Sequence, residues 1–251
     1  MTFVLWPPAG ERTEAEGLVA RPFGTGMADL MVDFERPTGS VIGAILQLCL
    51  STPQGEGIAG AEIAAWTLAK RRQGLLAVAV ATNGPVRSIT TQCSNPACDE
   101  RLDLEIDLTA FRQDWRVKAV PFEAGRLRLP CPVDLADLGD SAPERLAHIL
   151  FEGPPPKRGG WEAEAEAALA EADPLGDLEL SGACPGCGGD IAEPLVLETF
   201  LVTELAREAG RLMDEIHVLA LAYNWTEPDI MALPAGRRRH YIARIREAWA
   251  A

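Results

Sequence analysis

Cys93–Ser94–Asn95–Pro96–Ala97–Cys98 and Cys184–Pro185–Gly186–Cys187 are two short cysteine pairs, spaced C-x4-C and C-x2-C and separated by 85 residues. Each has the form of one knuckle of a structural zinc site, in which a tight turn aims two thiolates at one point. The second is the more specific, because Pro185 and Gly186 build the turn and the following glycines let backbone approach the sulfurs. If the pairs share one ion, Cys93, Cys98, Cys184 and Cys187 hold a single zinc that clamps residues on either side of a long insertion. Four thiolates close the coordination sphere, whereas a catalytic zinc keeps an open position, so this zinc is expected to be structural.

Other fates of the thiols compete with that reading. Disulfides belong to oxidising compartments. Met1–Arg12 lacks a basic start followed by a long apolar run, so no secretory leader is read there and a cytoplasmic location is expected. A redox C-x-x-C calls for a strand before Cys184 and a helix after it, and neither pattern is legible. Cys49 lies in the apolar run Ile45–Leu50 and reads as a small buried hydrophobe. Cys131, in Leu-Pro-Cys-Pro, reads as a packed thiol with a stray ligand as the alternative.

Around the first knuckle the hydrophobic period is two. Leu102, Leu104, Ile106 and Leu108 alternate with Asp103, Glu105 and Asp107, which predicts a half-buried strand with an acidic outer face. Val86–Thr91 is its expected hairpin partner. Upstream, Ala61–Ala81 has near-helical spacing around the basic run Lys70–Arg71–Arg72 and stops at Asn83–Gly84. Val41–Leu50 is a continuous apolar segment, and periodicity does not decide between buried strand and short helix. In the insertion, Arg126–Pro130 reads as a short strand, Ser141-Ala-Pro-Glu144 as a capping box opening a helix to about Phe151, and Glu162–Ala172 as a largely solvated helix. After the second knuckle, Leu201, Leu205, Ala209, Leu212, Ile216 and Leu219 make an apolar stripe on a helix from about Thr199 to Tyr223. Thr226-Glu-Pro-Asp229 caps a short helix, and Pro234 opens a last one bearing Tyr241, Ile242, Ile245 and Trp249 on one side.

These elements predict an α+β fold, mainly helical, with a small zinc-ribbon-like β element formed by the two distant knuckles. Three segments follow: an irregular 1–59; 60–198, a helix plus the ribbon-like region with a mixed insertion over 111–177; and a helical unit over 199–251. The chain has 251 residues and is 47% apolar, enough for a sizeable core. No run approaches the ~18 apolar residues of a membrane span, and none is expected. A net charge of −14 argues against broad contact with a phosphate backbone, so no nucleic-acid partner is expected. There is no phosphate loop, nucleophile elbow or H-E-x-x-H, and no constellation argues for an enzyme.

The carboxyl-terminal stretch reads Ile216-His-Val-Leu-Ala-Leu-Ala-Tyr-Asn-Trp-Thr-Glu-Pro-Asp-Ile-Met-Ala-Leu233, followed by Arg237-Arg-Arg-His-Tyr241. It resembles the signature of the T-even-phage-type baseplate hub assembly chaperones of contractile tails, found also in phage-like injection systems. The order of features agrees over about residues 60–247, including Arg126-Leu-Arg-Leu-Pro-Cys-Pro-Val-Asp-Leu135 and Asp173-Pro-Leu-Gly before the second knuckle. The first knuckle departs from the pattern, with four residues between its cysteines and no glycine. The resemblance implies a non-enzymatic assembly factor whose partners are baseplate hub or wedge proteins. It points to His217, Tyr223, Trp225, Glu227, Arg237, Arg238 and Tyr241 as partner-binding residues. Read from the residues alone, His217 is a core or helix-contact histidine. Tyr223 and Trp225 pack a helix junction, with partner anchoring as the alternative. Arg237–Arg239 is a solvated face or a dock for an acidic partner. A structural baseplate component, a zinc-ribbon adaptor for nucleic acid and a thiol oxidoreductase are the competing classes.

Overall fold

The amino-terminal region, expected to be irregular, is organised around its one apolar run. Strands Val4–Trp6 (β1), Leu18–Ala20 (β2) and Leu50–Ser51 (β3) pair antiparallel in the order β1-β2-β3, and the run itself lies in a helix, Thr38–Cys49 (α1). Val41, Ile42, Ile45, Leu46 and Cys49 are its buried positions, the i, i+4, i+8 stripe of one helix face. The computed structural model describes residues 3–6, 17–136, 143–154 and 156–250. Before α1, the carboxylate of the fully buried Asp29 takes two bonds from the Arg21 guanidinium, at 2.6 and 2.7 Å, and the backbone N–H groups of Gly24, Thr25 and Gly26.

The helix expected over 61–81 is two helices, Gly60–Ala64 (α2) and Leu68–Asn83 (α3). Thr67 divides them: its backbone is extended and its Oγ1 accepts the Lys70 N–H, so it caps α3. Helix α3 is buried on almost every side, between α1, the β1–β2 strands and the long helix of residues 197–223. Gly74 makes the α1 approach feasible, since a Cβ there would lie 2.9 Å from Leu46 and 3.0 Å from Leu50. The run Lys70–Arg71–Arg72 is therefore not a surface patch. Arg71 is buried and donates to the carbonyls of Ile63 and Gly39, and Arg72 is buried in a double ion pair with Asp173 and Glu198, each at 2.6 Å.

Val86–Gln92 (β4) and Arg101–Asp107 (β5) form the expected antiparallel hairpin, with Asp103, Glu105 and Asp107 exposed. The insertion holds Ala119–Phe122 (β6), Gly125–Arg128 (β7), Pro132–Ala136 (α4), Pro143–Leu150 (α5), Phe151–Glu152 (β8) and Trp161–Ala172 (α6), with a three-stranded sheet in the order β6-β7-β8. Ser141, the first residue of the expected capping box, lies outside the described residues. Helix α6 is less solvated than its Glu/Ala sequence suggests, because Trp161 and Ala165 pack with Leu127 and Ala147 in a small separate core.

A second hairpin, Leu178–Ala183 (β9) and Asp190–Leu195 (β10), leads into the 27-residue helix Leu197–Tyr223 (α7). The stripe of α7 serves two cores. Leu201 and Leu205 join the main core, while Leu212, Ile216 and Leu219 pack on Glu227–Met231 (α8) and Ala235–Ala250 (α9). On α9 the buried stripe is Arg238, Ile242 and Ile245, and Trp249, expected on that side, is 62% exposed. The architecture is α+β, and every strand pair among the described residues is antiparallel.

Candidate metal centre

Each knuckle is the tip of a hairpin. Cys93 follows β4, and its N–H donates to Glu100 O at 3.0 Å, which closes the tip. Within it the Asn95 side chain accepts the Ala97 N–H and Asn95 O accepts the Cys98 N–H, a local turn that returns Cys98 towards Cys93. Cys184 follows β9. Its N–H bonds Gly189 O and its carbonyl accepts the Gly188 N–H, both at 2.8 Å, with Gly188 at φ +71° as such a turn requires. The sequence hid the strand before Cys184, but the element after the knuckle is another strand, β10, so the strand-then-helix setting of a thioredoxin-like site is absent here.

The tips meet with their thiols interleaved. Cys93 Sγ lies 3.7 Å from Cys187 Sγ, Cys98 Sγ lies 3.8 Å from Cys184 Sγ, and all four sulfurs are within 4.8 Å of one another. Metal–sulfur bonds of zinc length set tetrahedral edges of about 3.8 Å. A disulfide needs about 2.05 Å, so these thiols are unbonded to each other. The donor set thus fits one soft cation and leaves no open ligand position. Leu102 and Ile191 close the apolar floor beneath Cys93 and Cys184, and the Ser94 hydroxyl donates to Asp190 O across the hairpins at 3.2 Å.

The thiols ionise unevenly. The Gly189 N–H, then the Cys93 thiol, hold Cys187 down at about 7. Against the pull of the Asn95 N–H, burial and the other three thiols push Cys93 up to about 12, and Cys98 is also raised. One sulfur gathers negative charge while its neighbours donate to it, an arrangement that a cation completes by replacing the protons. The outlying cysteines are not ligands in this arrangement. Cys49 is buried, and desolvation first of all pushes its thiol up to about 12. The Cys131 thiol meets Asp134 at 3.0 Å.

The residues named from the carboxyl-terminal signature divide into two groups. Tyr223, Trp225 and Tyr241 come together: Tyr223 and Trp225 stack with centroids 4.7 Å apart, and Tyr241 meets them edge-on at 5.6 and 5.1 Å. Arg237 lies over the Tyr241 ring and reaches its hydroxyl at 3.3 Å. Trp225 and Tyr241 are half-buried against the second core, while Tyr223 and Arg237 are exposed. Glu227 is exposed in the first turn of α8. Two expectations are corrected. His217 is exposed on α7 rather than packed in a core, because the stripe turns Ile216 and Leu219 inward instead. Arg238 is buried, donating to Glu215 at 2.9 Å and to Leu233 O, so it joins α9 to α7 and is not available as a dock.

Compared with family models, curated proteins and solved structures, the chain matches none.

Proposed function

We propose that this chain is an assembly factor for the baseplate hub of a phage-like contractile tail, acting by protein–protein binding. In this reading Cys93, Cys98, Cys184 and Cys187 hold one structural zinc ion in a zinc-ribbon-like element. The observation that carries the reading is the gathering of Tyr223, Trp225, Arg237 and Tyr241, signature residues from the end of α7, the loop after it and the start of α9, into one partly exposed cluster. Aromatic and arginine side chains are the usual anchors of protein interfaces. Thiolate ligands at tetrahedral spacing with an apolar floor support zinc over harder cations, which take oxygen. The exposed acidic face of β5, beside the candidate metal centre, opposes a nucleic-acid role, since that face would repel phosphates.

The test has two parts. Mass spectrometry of purified tail particles and of soluble assembly intermediates would place the chain with hub proteins in the intermediates alone; presence in the finished particle would make it a structural component, and absence from both would refute the assembly reading. Trp225→Ala combined with Arg237→Glu is expected to abolish copurification with a hub protein while the fold survives. Retained binding would sink the claim that this cluster is the anchor.

A further inference from the structure

A cleft lined by none of the four clustered thiols and none of the aromatic cluster runs between the α2–α3 junction and the 115–130 segment. It has two chambers of about 440 and 600 Å³, and both are lined by Glu62, Trp66, Lys70, Trp115 and Lys118. Both tryptophans are largely buried in its wall. Lys70 Nζ sits 3.9 Å from the centroid of the Trp66 ring. Among the described residues, no ion pair or hydrogen bond engages the ammonium of Lys70 or of Lys118.

For the half-buried Lys70 that is unusual in this chain, whereas the exposed Lys118 shares it with surface cations such as Arg36, Arg101 and Lys157. The chain carries 37 acidic side chains against 23 basic ones, so carboxylates to neutralise these lysines are plentiful. The other cations of the cleft show the contrast: Arg116 pairs with Asp114 at 2.9 Å, Arg126 with Glu152 at 2.5 Å, and Arg128 bidentately with Asp134. Lys70 also sits in the first turn of α3, where no acidic residue is present and the helix dipole disfavours a cation. Burial lowers its pKa, Glu62 acts the other way, and Lys118 adds to the lowering. Among the described residues, the two ammonium groups are therefore unpaired although Glu62 lines the same cleft, and they lie near apolar side chains, Ile58 in one chamber and Leu129 in the other.

We propose that this cleft binds an extended acidic segment of a partner protein, one carboxylate held between Lys70 and Lys118 and apolar neighbours filling the two chambers. Charge complementarity selects an anion, and two half-open chambers that share the lysine-bearing wall suit an extended chain rather than an enclosed small molecule. Trp66 gives its face to Lys70, so it is no free platform for a nucleic-acid base. The inference stands apart from the tail-assembly reading, since it concerns a different surface.

The test is fluorescence anisotropy with a set of labelled short peptides carrying a central Glu between Leu, Val or Ala, and the matching set with Gln. Glu peptides are expected to bind at least about tenfold more tightly than their Gln counterparts, the range of a charge-assisted hydrogen bond. Lys118→Gln, at an exposed position that leaves the fold intact, and Lys70→Gln should each weaken binding by a similar factor. Lys157→Gln, exposed outside the cleft, should not. Absence of binding by every Glu peptide below about 1 mM, equal binding of Glu and Gln peptides, or indifference to both cleft lysines would overturn the proposal. So would full displacement by orthophosphate, which would make the cleft a small-anion site.

Discussion

Replacing Cys184 and Cys187 together by serine removes half of the thiolate set with almost no change in shape, and the resulting loss of stability can be bounded from the geometry. Without the metal, the hairpin tips keep Leu102 and Ile191 on their floor and the Ser94 and Thr91 bonds across. What disappears is the tie. Cys98 and Cys184 are 86 positions apart, and cross-linking a free loop of that length is worth about 4.6 kcal/mol. The loop is not free, however. Arg72 already holds Asp173, and the Gln113 side chain holds Ala172 O at 2.7 Å. The effective loop is shorter, and a 15-residue loop sets a floor of about 3 kcal/mol. For a chain of this size each kcal/mol moves the melting midpoint by about 2–4 °C, so a fall of about 6–18 °C is expected. Calorimetry with elemental analysis measures both quantities, and hydrogen exchange over 86–107 and 178–195 shows whether the loss is local to the hairpins. A wild-type protein purified without metal, or a variant with unchanged melting and unchanged exchange, would refute the reasoning.

Arg238→Glu should destabilise by about 3–5 kcal/mol in urea unfolding, because it buries a carboxylate against Glu215, whereas the exposed Arg237→Glu should stay within about 0.5 kcal/mol. Asp29→Ala should cost about 3–5 kcal/mol by the same assay, since it strands the Arg21 guanidinium and three N–H groups; a change under 1 kcal/mol would refute the anchor. Asp134 sets a pH dependence. The Arg128 guanidinium, then the Cys131 N–H and thiol, hold its carboxyl well below the usual range against the opposing effect of burial. A depressed folded pKa contributes stability that is fully present above the ordinary carboxylate value of about 4 and is lost as pH falls below it. Asp134→Asn should therefore be less stable than wild type at pH 6 and lose less between pH 5 and pH 2; parallel curves would contradict this.

The parts of the fold legible in the sequence are those governed by local rules. The alternation of Leu102 to Leu108 placed β5, the stripe from Leu201 to Leu219 placed α7, and Thr226 capped α8. The thiol spacing was readable because each turn is local, and the fold had only to bring two such turns together. The β9–β10 hairpin was harder to read. Leu178 and Leu180 alternate, but the pattern is short, and Pro194 in β10 argues against a strand in the sequence. The fate of the charged residues was hidden for another reason. Arg72 finds its acids 101 and 126 positions away, and Arg238 finds Glu215 23 positions away, so no window reveals that these cations are interior. His217 was misplaced because a one-residue rotation on a helix separates an inward position from an outward one, and Ile216 and Leu219 fill the inward ones.

Helix α7 keeps the two candidate functional features independent. The second knuckle's hairpin enters at its first turn, and the aromatic cluster gathers at its last, with Tyr223 as the final helical residue. At 1.5 Å per residue, 27 residues make a rod of about 40 Å. Its first half packs in the main core with α1 and α3, and its second half in the separate core of α8 and α9. Loss of the metal should therefore loosen the hairpins while the Tyr223–Trp225–Tyr241 stack, supported by Ile216, Leu219 and Ile242, stays in place. If the proposed hub binding holds, a chelated protein that loses it without losing that stack would mean that the hairpins themselves touch the partner. One that keeps binding would assign the metal to stability and the far end of α7 to recognition.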